Sequence, residues 1–300
     1  MSLRSLKNCR TELSSRCRRS EHETTSARVS HSCALNLTLT TAIVFGIFSD
    51  PVLAADGEPD NDKFVFKVGV YQVSSMSTEL RVDPAAGIGT SIGLEQTLNM
   101  PDNVQVQRFD GHYRFSNKQR FEFSYFEISR GGYIDCTGCP PLTVGDVTLN
   151  PGEWTSYGQT KVLKGLWSHS FINDDKYEFG LGAGLHITSS STDISSSGGG
   201  GNINEDFTLP LPVFSFRGAW HITPKLKFEG KQDMFLVEFG GSRGSMVDLT
   251  LRLEHQTTKH IGFGLGTSLL STRAQTIVDG YNTELNASYR GTMLYAKAVF

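Results

Sequence analysis

Two histidines lie near side chains with which they could form a catalytic pair. His186 precedes the serines at 189–191, so a nucleophile and a general base are both available. Those serines open the low-complexity stretch 189–201, which has the composition of a flexible loop, whereas a catalytic group needs a rigid support. His112 lies two residues from Asp110, where a place in an ion-pair network is the alternative to catalysis. The sequence therefore predicts no catalytic residue and no enzymatic activity.

Cys136 and Cys139 are the only cysteines after residue 54. A C-x-x-C pair can be a redox motif or half of a zinc site, but no second pair and no βαβ pattern accompanies this one. In an exported protein the spacing favours a disulfide that closes a small loop, with free thiols as the alternative. The sequence predicts no cofactor and no metal site.

Charged residues recur at every second position of several segments, on the face opposite the apolar residues. This pattern assigns seven cations, seven carboxylates and one histidine to an interior surface. Because a charge in apolar surroundings is costly unless it is paired, the balance favours ion-pair networks that fill a narrow lumen. The alternative is a thin polar channel whose charges select solutes. The predicted lumen-lining residues are Arg108, Asp110, His112, Arg114, Glu122, Lys164, Glu178, Arg217, Lys227, Glu229, Lys231, Asp233, Asp248, Arg252 and Glu254.

The elements that hold these residues are predicted to be β-strands, because successive side chains of a strand point to opposite faces. Short polar turns at 116–119, 173–176, 223–225 and 257–260 alternate with longer connections. Short turns on one side and long loops on the other are typical of outer-membrane barrels. About ten strands are predicted, at 64–75, 104–115, 120–131, 155–172, 176–188, 208–222, 225–239, 245–256, 260–271 and 284–300. Eight or twelve stay open, because 76–103 contains segments that could extend strands or form an extra pair.

The fold class is all-β, a single transmembrane antiparallel up-and-down β-barrel over 64–300. A soluble β-sandwich would also alternate, but it would hold its aromatic residues at mid-strand. Here aromatic residues such as Tyr113, Trp167 and Trp220 lie next to the short turns, where a membrane-interface belt is expected. Arg290 and Lys297 fall on opposite faces of the last strand, which predicts a bulge near Gly291 or a Lys297 at the water interface.

An apolar run at 35–48 is too short to span a bilayer as a helix. Small residues at 52 and 54 follow it, so 1–54 is predicted to be an extended leader with a secretory signal peptide cleaved after Ala54. Residues 55–63 are predicted to be disordered. Removing the seven basic and four acidic residues of 1–54 from the totals of 28 and 31 leaves 21 and 27. This acidic balance does not favour nucleic-acid binding.

The hairpin at 107–130, the run at 228–270 and the closing YAKAVF resemble the small bacterial outer-membrane β-barrel proteins of the OmpA/OmpW-like superfamily. The resemblance covers nearly all of 64–300. It implies a location in the outer membrane of a Gram-negative bacterium, contact with outer-membrane lipid and no cofactor. It also implies insertion by the barrel-assembly machinery through the C-terminal strand that ends at Phe300. Many such strands carry glycine five residues before the last, where this chain has Tyr295.

Three functions follow as hypotheses. The first is a structural or narrow-channel role, porin-like and for small solutes. The second is an adhesion or receptor barrel that acts through its exterior loops, of which 131–154 contains both cysteines and the adjacent Pro140 and Pro141. The third and weakest is a barrel enzyme that hydrolyses lipid or peptide.

Overall fold

Ten long antiparallel strands form a closed barrel, as the alternation of apolar and polar residues predicts. The structure, a computed structural model, describes residues 63–84, 90–144, 147–239, 242–278 and 281–300. The predicted leader 1–54 and the predicted disordered residues 55–62 lie outside these ranges. In chain order the elements are β1 (Phe64–Pro84), β2 (Thr90–Gly93), α1 (Leu94–Thr97), β3 (Val104–Ser116), β4 (Gln119–Asp135), β5 (Leu142–Val144), β6 (Val147–Leu149), β7 (Glu153–Asn173), β8 (Tyr177–Ser196), β9 (Ile203–Thr223), β10 (Leu226–Phe239), β11 (Ser242–Gln256), β12 (Ile261–Val278) and β13 (Tyr281–Val299).

The barrel closes by pairing its first strand with its last. The order around the wall is β1, β3, β4 and then β7 to β13, and β13 pairs back to β1 from Val65 and Val299 onward. Phe64 and Phe300 exchange backbone hydrogen bonds of 3.1 and 2.9 Å. The short β2 pairs with β1 along Glu79–Val82, beyond the reach of β3, so it does not add a strand to the circuit. The predicted strand number of ten is confirmed.

The strands continue well beyond the predicted membrane-spanning segments on the side of the long connections. β8 extends to Ser196, so the prediction of a flexible loop was wrong for 189–196. Its serines form cross-strand contacts, such as Ser189 with Thr208 at 3.0 Å. At about 3.3 Å per residue and a tilt of about 40°, a 20-residue strand rises roughly 50 Å, about twice the apolar band of such barrels. The exterior parts of the strands have water on their outer face, so they do not need an apolar face. Their sequence therefore lacks the alternation of apolar and polar residues.

The last strand keeps its alternation without interruption, and the prediction of a bulge in it was wrong. Lys297 is buried in the lumen and Arg290 is exposed on the outer face. The register irregularity lies in β1 instead, at Ser74, opposite Gly291 and Arg290. Arg290 is the middle residue of β13, with nine residues of the strand on either side.

Two neighbouring pairs of strands separate toward the exterior. The β3–β4 ladder ends at Arg108 and Phe126, and the β9–β10 ladder ends at Phe214 and Met234. On β9 the residues Pro210 and Pro212 stay in register with β8. Proline has no amide hydrogen, and the edge of β9 that lacks these two donors is the one that faces β10. This edge cannot continue the ladder at those two positions.

The segment at 94–101 folds inward and covers the exterior end of the lumen. Leu98 and Met100 are almost fully buried, and a Cβ at Gly132 would clash with the Leu98 carbonyl. Arg130 donates to Glu95 at 2.6 Å and to the carbonyl of Pro101 at 3.2 Å. Among the described residues, no helix is long and apolar enough to cross a membrane. We call 94–101 the inward segment.

Candidate functional site: the charged lumen

The structure places all fifteen predicted lumen-lining residues on the inner face of the barrel. Fourteen are buried, and the side chain of Lys231 is 14% exposed. Along β3 the even positions from Arg108 to Arg114 are buried while Tyr113 and Phe115 are exposed. The strand pleat therefore brings together residues that are far apart in the sequence, and short side-chain contacts connect them across the lumen.

A first network lies next to the short turns and centres on Glu178 and Glu122. Glu178 accepts hydrogen bonds from Arg217 at 2.8 Å and from Arg114 at 3.2 Å, while Ser170 donates to it at 2.7 Å. Glu122 accepts from Lys231 at 2.6 Å. The two carboxylates thus join side chains from β3, β4, β7, β8, β9 and β10 across the narrow interior.

A second network centres on Glu254 of β11. Its carboxylate lies 3.4 Å from the Nζ of Lys297 and 3.8 Å from that of Lys227, and Lys67 donates a hydrogen bond to it. The Tyr295 hydroxyl also donates to it, at 2.8 Å. The ring of Tyr295 crosses the inner face at Gly264, where a Cβ would clash with it. The residue at the position where related strands have glycine is therefore part of the lumen network.

A third set of pairs lies farther from the short turns. Arg252 contacts Asp110 at 3.1 Å and Glu229 at 3.3 Å, and Arg108 donates to Asp110 at 3.0 Å. Lys164 contacts Asp233 at 3.0 Å and also pairs with Asp248. Arg252 with Asp110 and Lys164 with Asp248 join strands on different sides of the lumen, whereas Arg108 pairs with Asp110 along β3 and Arg252 pairs with Glu229 on the neighbouring strand. Such pairing is expected when ionised side chains are removed from water.

Three lumen cations were missed by the sequence reasoning, namely Lys67, Arg120 and Lys297. Each is at least 90% buried. Lys67 alternates with outward apolar residues, and Arg120 lies two positions before Glu122, so the period-two pattern could have identified both. Lys297 follows from the unbroken alternation of β13. With these residues the three networks hold ten cations and seven carboxylates, which corrects the predicted balance of seven to seven.

An apolar layer lies between the charged networks and the exterior. Its buried residues include Tyr71, Val73, Phe126, Ile128, Val162, Val213, Met246, Leu270, Tyr289 and Met293. On β3 the inward residues Val104 and Val106 are packed against this layer, and on β10 so is Phe235. The exterior end is covered by a second apolar cluster that includes Leu98, Met100 and Trp154. The lumen is thus obstructed at three levels.

A cavity remains within the charged level, and it is small. Its volume is about 30 Å³, which is room for about two water-sized particles. Its charged lining comprises six cations (Lys67, Arg108, Arg120, Lys164, Lys231 and Arg252) and three carboxylates (Asp110, Glu122 and Glu229). This space is too small for an aqueous path through the barrel.

The catalytic candidates do not assemble into a site. His186 is fully buried in the lumen, and neither ring nitrogen has a hydrogen-bond partner among the described residues. The serines at 189 and 191 lie on the other face of β8, whereas Ser190 shares the face of His186 and its hydroxyl contacts that of Thr160 at 3.4 Å. His112 is buried beside the charged networks, two positions from Asp110 on the same inner face. In the part of the chain that the structure describes, no group of His, Cys, Asp or Glu side chains could hold a metal ion.

The two cysteines lie in the exterior loop between β4 and β7. A disulfide joins Cys136 and Cys139, whose Cα atoms are 4.8 Å apart. Cys136 is buried and packs in the exterior apolar cluster with Leu149. Asp135 accepts hydrogen bonds from the backbone and hydroxyl of Thr137, which lower the pKa of its carboxyl. The loop is therefore tied to the barrel end by packing as well as by the disulfide.

Comparisons with known proteins find similarity in the fold. No protein-family model and no curated protein matches the chain. The structure of the outer membrane protease OmpT from Escherichia coli covers 83% of this chain and 99% of its own, with a TM-score of 0.50 and 11% identity. The toluene transporter TodX from P. putida covers 82% of this chain and 91% of its own, with a TM-score of 0.33 and 8% identity. The outer membrane protein OprG from Pseudomonas aeruginosa covers 79% of this chain and 95% of its own, with a TM-score of 0.35 and 10% identity.

At these identities the similarity to OmpT concerns the fold alone. It agrees with the closed wall of ten strands. The chain therefore has the fold of a closed, ten-stranded antiparallel β-barrel, similar to the fold of OmpT.

Proposed function

We propose that this protein is a structural outer-membrane barrel whose lumen is closed to solutes. The observation that carries the proposal is the triple obstruction of the lumen by the ion-pair networks, the apolar layer and the inward segment. A cavity of about 30 Å³ holds only a few atoms. Barrels of about ten strands have little free space once side chains fill them, and wide aqueous channels need roughly 16 strands.

Single-channel recording tests this proposal against the narrow-channel alternative. Protein purified from outer membranes, and shown to be folded by heat-modifiable gel migration, is added to a planar bilayer. We expect folded barrels without steady conductance. Steady, ion-selective openings would establish a narrow channel instead, and Arg108→Gln and Lys227→Gln would then be expected to change the ion selectivity.

An adhesion or receptor role is the second candidate, and the exterior extension favours it. The strands continue beyond the apolar band, and the loop of Cys136 and Cys139 packs into the exterior cluster. A loop that is already ordered loses little entropy when it binds a partner. Deleting 137–150 should abolish attachment of cells that carry the protein to a matrix-coated surface, while gel migration shows that the barrel still folds. Unchanged attachment would exclude this loop as the binding element.

We also propose that the barrel is not an enzyme. The burial of His186 and the position of the serines at 189 and 191 on the opposite face support this. The wild-type protein should release no product from lipid or peptide substrates. An activity that His186→Ala removes would overturn the proposal.

The proposal also includes export of the chain and its assembly in the outer membrane. A signal peptide cleaved after Ala54 and a Gram-negative host fit the outer-membrane fold, with outer-membrane lipid and the barrel-assembly machinery as partners. N-terminal sequencing of the protein from outer membranes should begin at Ala55. Depletion of the assembly machinery should reduce the folded form, and an unchanged amount would contradict this route.

A further inference from the structure

A polar groove lies on the outer face of the wall, where β7, β8 and β9 continue toward the exterior. Its volume is about 360 Å³, within the range of small-molecule sites of roughly 300–1,000 Å³. Its lining consists of Gln159, Lys161, Ser189, Ser190, Ser191, Asp206, Phe207 and Thr208. Ser189 and Ser191 lie on the face of β8 opposite the lumen residue His186, so the groove opens away from the lumen.

The groove occupies two consecutive rows of the antiparallel register on these three strands. The first row consists of residues that are directly opposite one another, namely Lys161, Ser189 and Thr208. The second row consists of Gln159, Ser191 and Asp206. The adjoining outward row, toward the short turns, is apolar and consists of Leu163, Ile187 and Pro210. The change from apolar to polar outward residues thus occurs at the same level on all three strands.

This change marks the edge of the apolar band. On β8 every second residue from Tyr177 to Ile187 is apolar and faces outward. That length matches the roughly 9–11 residues with which a tilted strand crosses a bilayer. Ser189 is therefore the first outward residue of β8 beyond the hydrocarbon, and the groove lies at the depth of the lipid head groups. Because it is on the side opposite the short turns, this is the outer leaflet, and the inference rests in this respect on the proposed outer-membrane location.

The groove presents a cation and a carboxylate that the protein does not pair. Lys161 is directly opposite Glu127 in the register, yet Glu127 accepts hydrogen bonds from Gln159 at 2.6 Å and from the Tyr125 hydroxyl at 3.0 Å instead. Among the described residues, no ion pair joins Lys161 or Asp206 to another side chain. Donors and acceptors are therefore available side by side in the groove.

We propose that this groove binds the sugar head group of a glycolipid in the outer leaflet. A sugar hydroxyl both donates and accepts hydrogen bonds, so it can use the ammonium of Lys161, the carboxylate of Asp206 and the hydroxyl of Ser191 together. A phosphate head group offers acceptor oxygens and negative charge, and the carboxylates of Asp206 and Glu127 would repel it. The acyl chains of the same molecule would lie against the apolar row beside the groove.

Native mass spectrometry of the folded protein tests the proposal in micelles of a polyoxyethylene detergent, which contains no sugar. The probes are purified lipopolysaccharide, phosphatidylglycerol and the oligosaccharide released from the same lipopolysaccharide by removal of its lipid. We expect lipopolysaccharide to stay bound at a concentration at which neither of the other probes does. Equal retention of phosphatidylglycerol would overturn the recognition of sugar. Equal retention of the free oligosaccharide would overturn the assignment to a lipid.

A pair of variants separates the groove from the rest of the outer face. Ser191→Leu fills the second row of the groove without changing the charge, and it should weaken lipopolysaccharide binding by about tenfold. Ser288→Leu introduces the same side chain at an exposed outward position of β13, outside the groove, and should leave binding unchanged. Equal binding by the two variants would overturn the proposal. If Ser191→Leu does not fold, Asp206→Asn decides, because it removes the exposed carboxylate alone, and unchanged binding would equally overturn the proposal.

The result is independent of the test of the closed lumen. Conductance reports the interior of the barrel, whereas retention of lipid in micelles reports its outer face. A conducting barrel that retains lipopolysaccharide would refute the closed lumen and support the groove. A silent barrel that retains none would support the closed lumen and overturn the groove.

Discussion

Glu254 shows how strongly the lumen depends on single carboxylates. Three lysines and the Tyr295 hydroxyl lie around it, and it is 1% exposed. Removing one member of a buried ion pair leaves its partners uncompensated, which costs roughly 3–5 kcal/mol of folding stability. An exposed pair such as Arg243 with Glu238, at 2.9 Å, contributes far less.

We therefore expect Glu254→Gln to lower the free energy of unfolding by about 3–5 kcal/mol. The measurement is urea unfolding in detergent, followed by the change in gel mobility. Glu238→Gln is the control, because it removes the same charge from an exposed pair, and it should leave the midpoint nearly unchanged. Similar midpoints for the two variants would show that the Glu254 network does not stabilise the barrel.

At the scale of elements, the β7–β8 turn contains a carboxylate whose protonation affects the turn. Asp174 accepts hydrogen bonds from the backbone N–H of Tyr177 at 2.6 Å and of Lys176 at 2.9 Å, and these lower the pKa of its carboxyl. A carboxyl whose pKa is lower in the folded state stabilises that state above its unfolded pKa. This stabilisation is lost as the pH falls through the folded value.

Asp174→Ala should therefore destabilise the barrel at neutral pH, and the difference from the wild-type protein should shrink as the pH falls below about 4. Unfolding midpoints measured from pH 7 to pH 3 give this difference. Asp175→Ala changes the exposed neighbour in the same turn and is the control. A difference that does not vary with pH would mean that the Asp174 effect is not electrostatic.

The inward segment and the apolar layer are separate obstructions, and this separation can be tested. Glu95→Ala removes the 2.6 Å contact with Arg130 and should make 94–103 more sensitive to protease. Conductance should stay absent, because the apolar layer still blocks the lumen. Adding Phe126→Ala and Tyr71→Ala removes two large buried rings from that layer. Openings already present in Glu95→Ala alone would show that the inward segment is the only barrier.

At the scale of the whole molecule, the sequence predicted the wall better than its interior. Alternation requires one apolar and one polar face, so it located all ten strands in the membrane region, where lipid imposes that contrast. It did not find the exterior extensions, such as 189–196, where both faces are polar. The inward segment was also missed, because the Leu98 backbone lies against Gly132, which is distant in sequence.

For the lumen, too, the sequence predicted which residues face inward but not which of them form contacts. Strand parity placed the fifteen predicted residues on the inner face, and applied without interruption it would have added Lys67, Arg120 and Lys297. It could not indicate which cation meets which carboxylate, because pairs such as Lys164 with Asp233 depend on how far apart the opposite walls are. The small cavity likewise follows only from the three-dimensional packing.

The pairing of β1 with β13 sets the order of events during assembly. Every other neighbouring pair in the wall joins barrel strands that are also consecutive along the chain, so these pairs can form locally. The closing ladder joins the first barrel strand to the last, so it must wait until 281–299 has been delivered. Until then the growing sheet has two open edges. Closure is therefore a long-range step, and a chain without β13 cannot close the wall in this way.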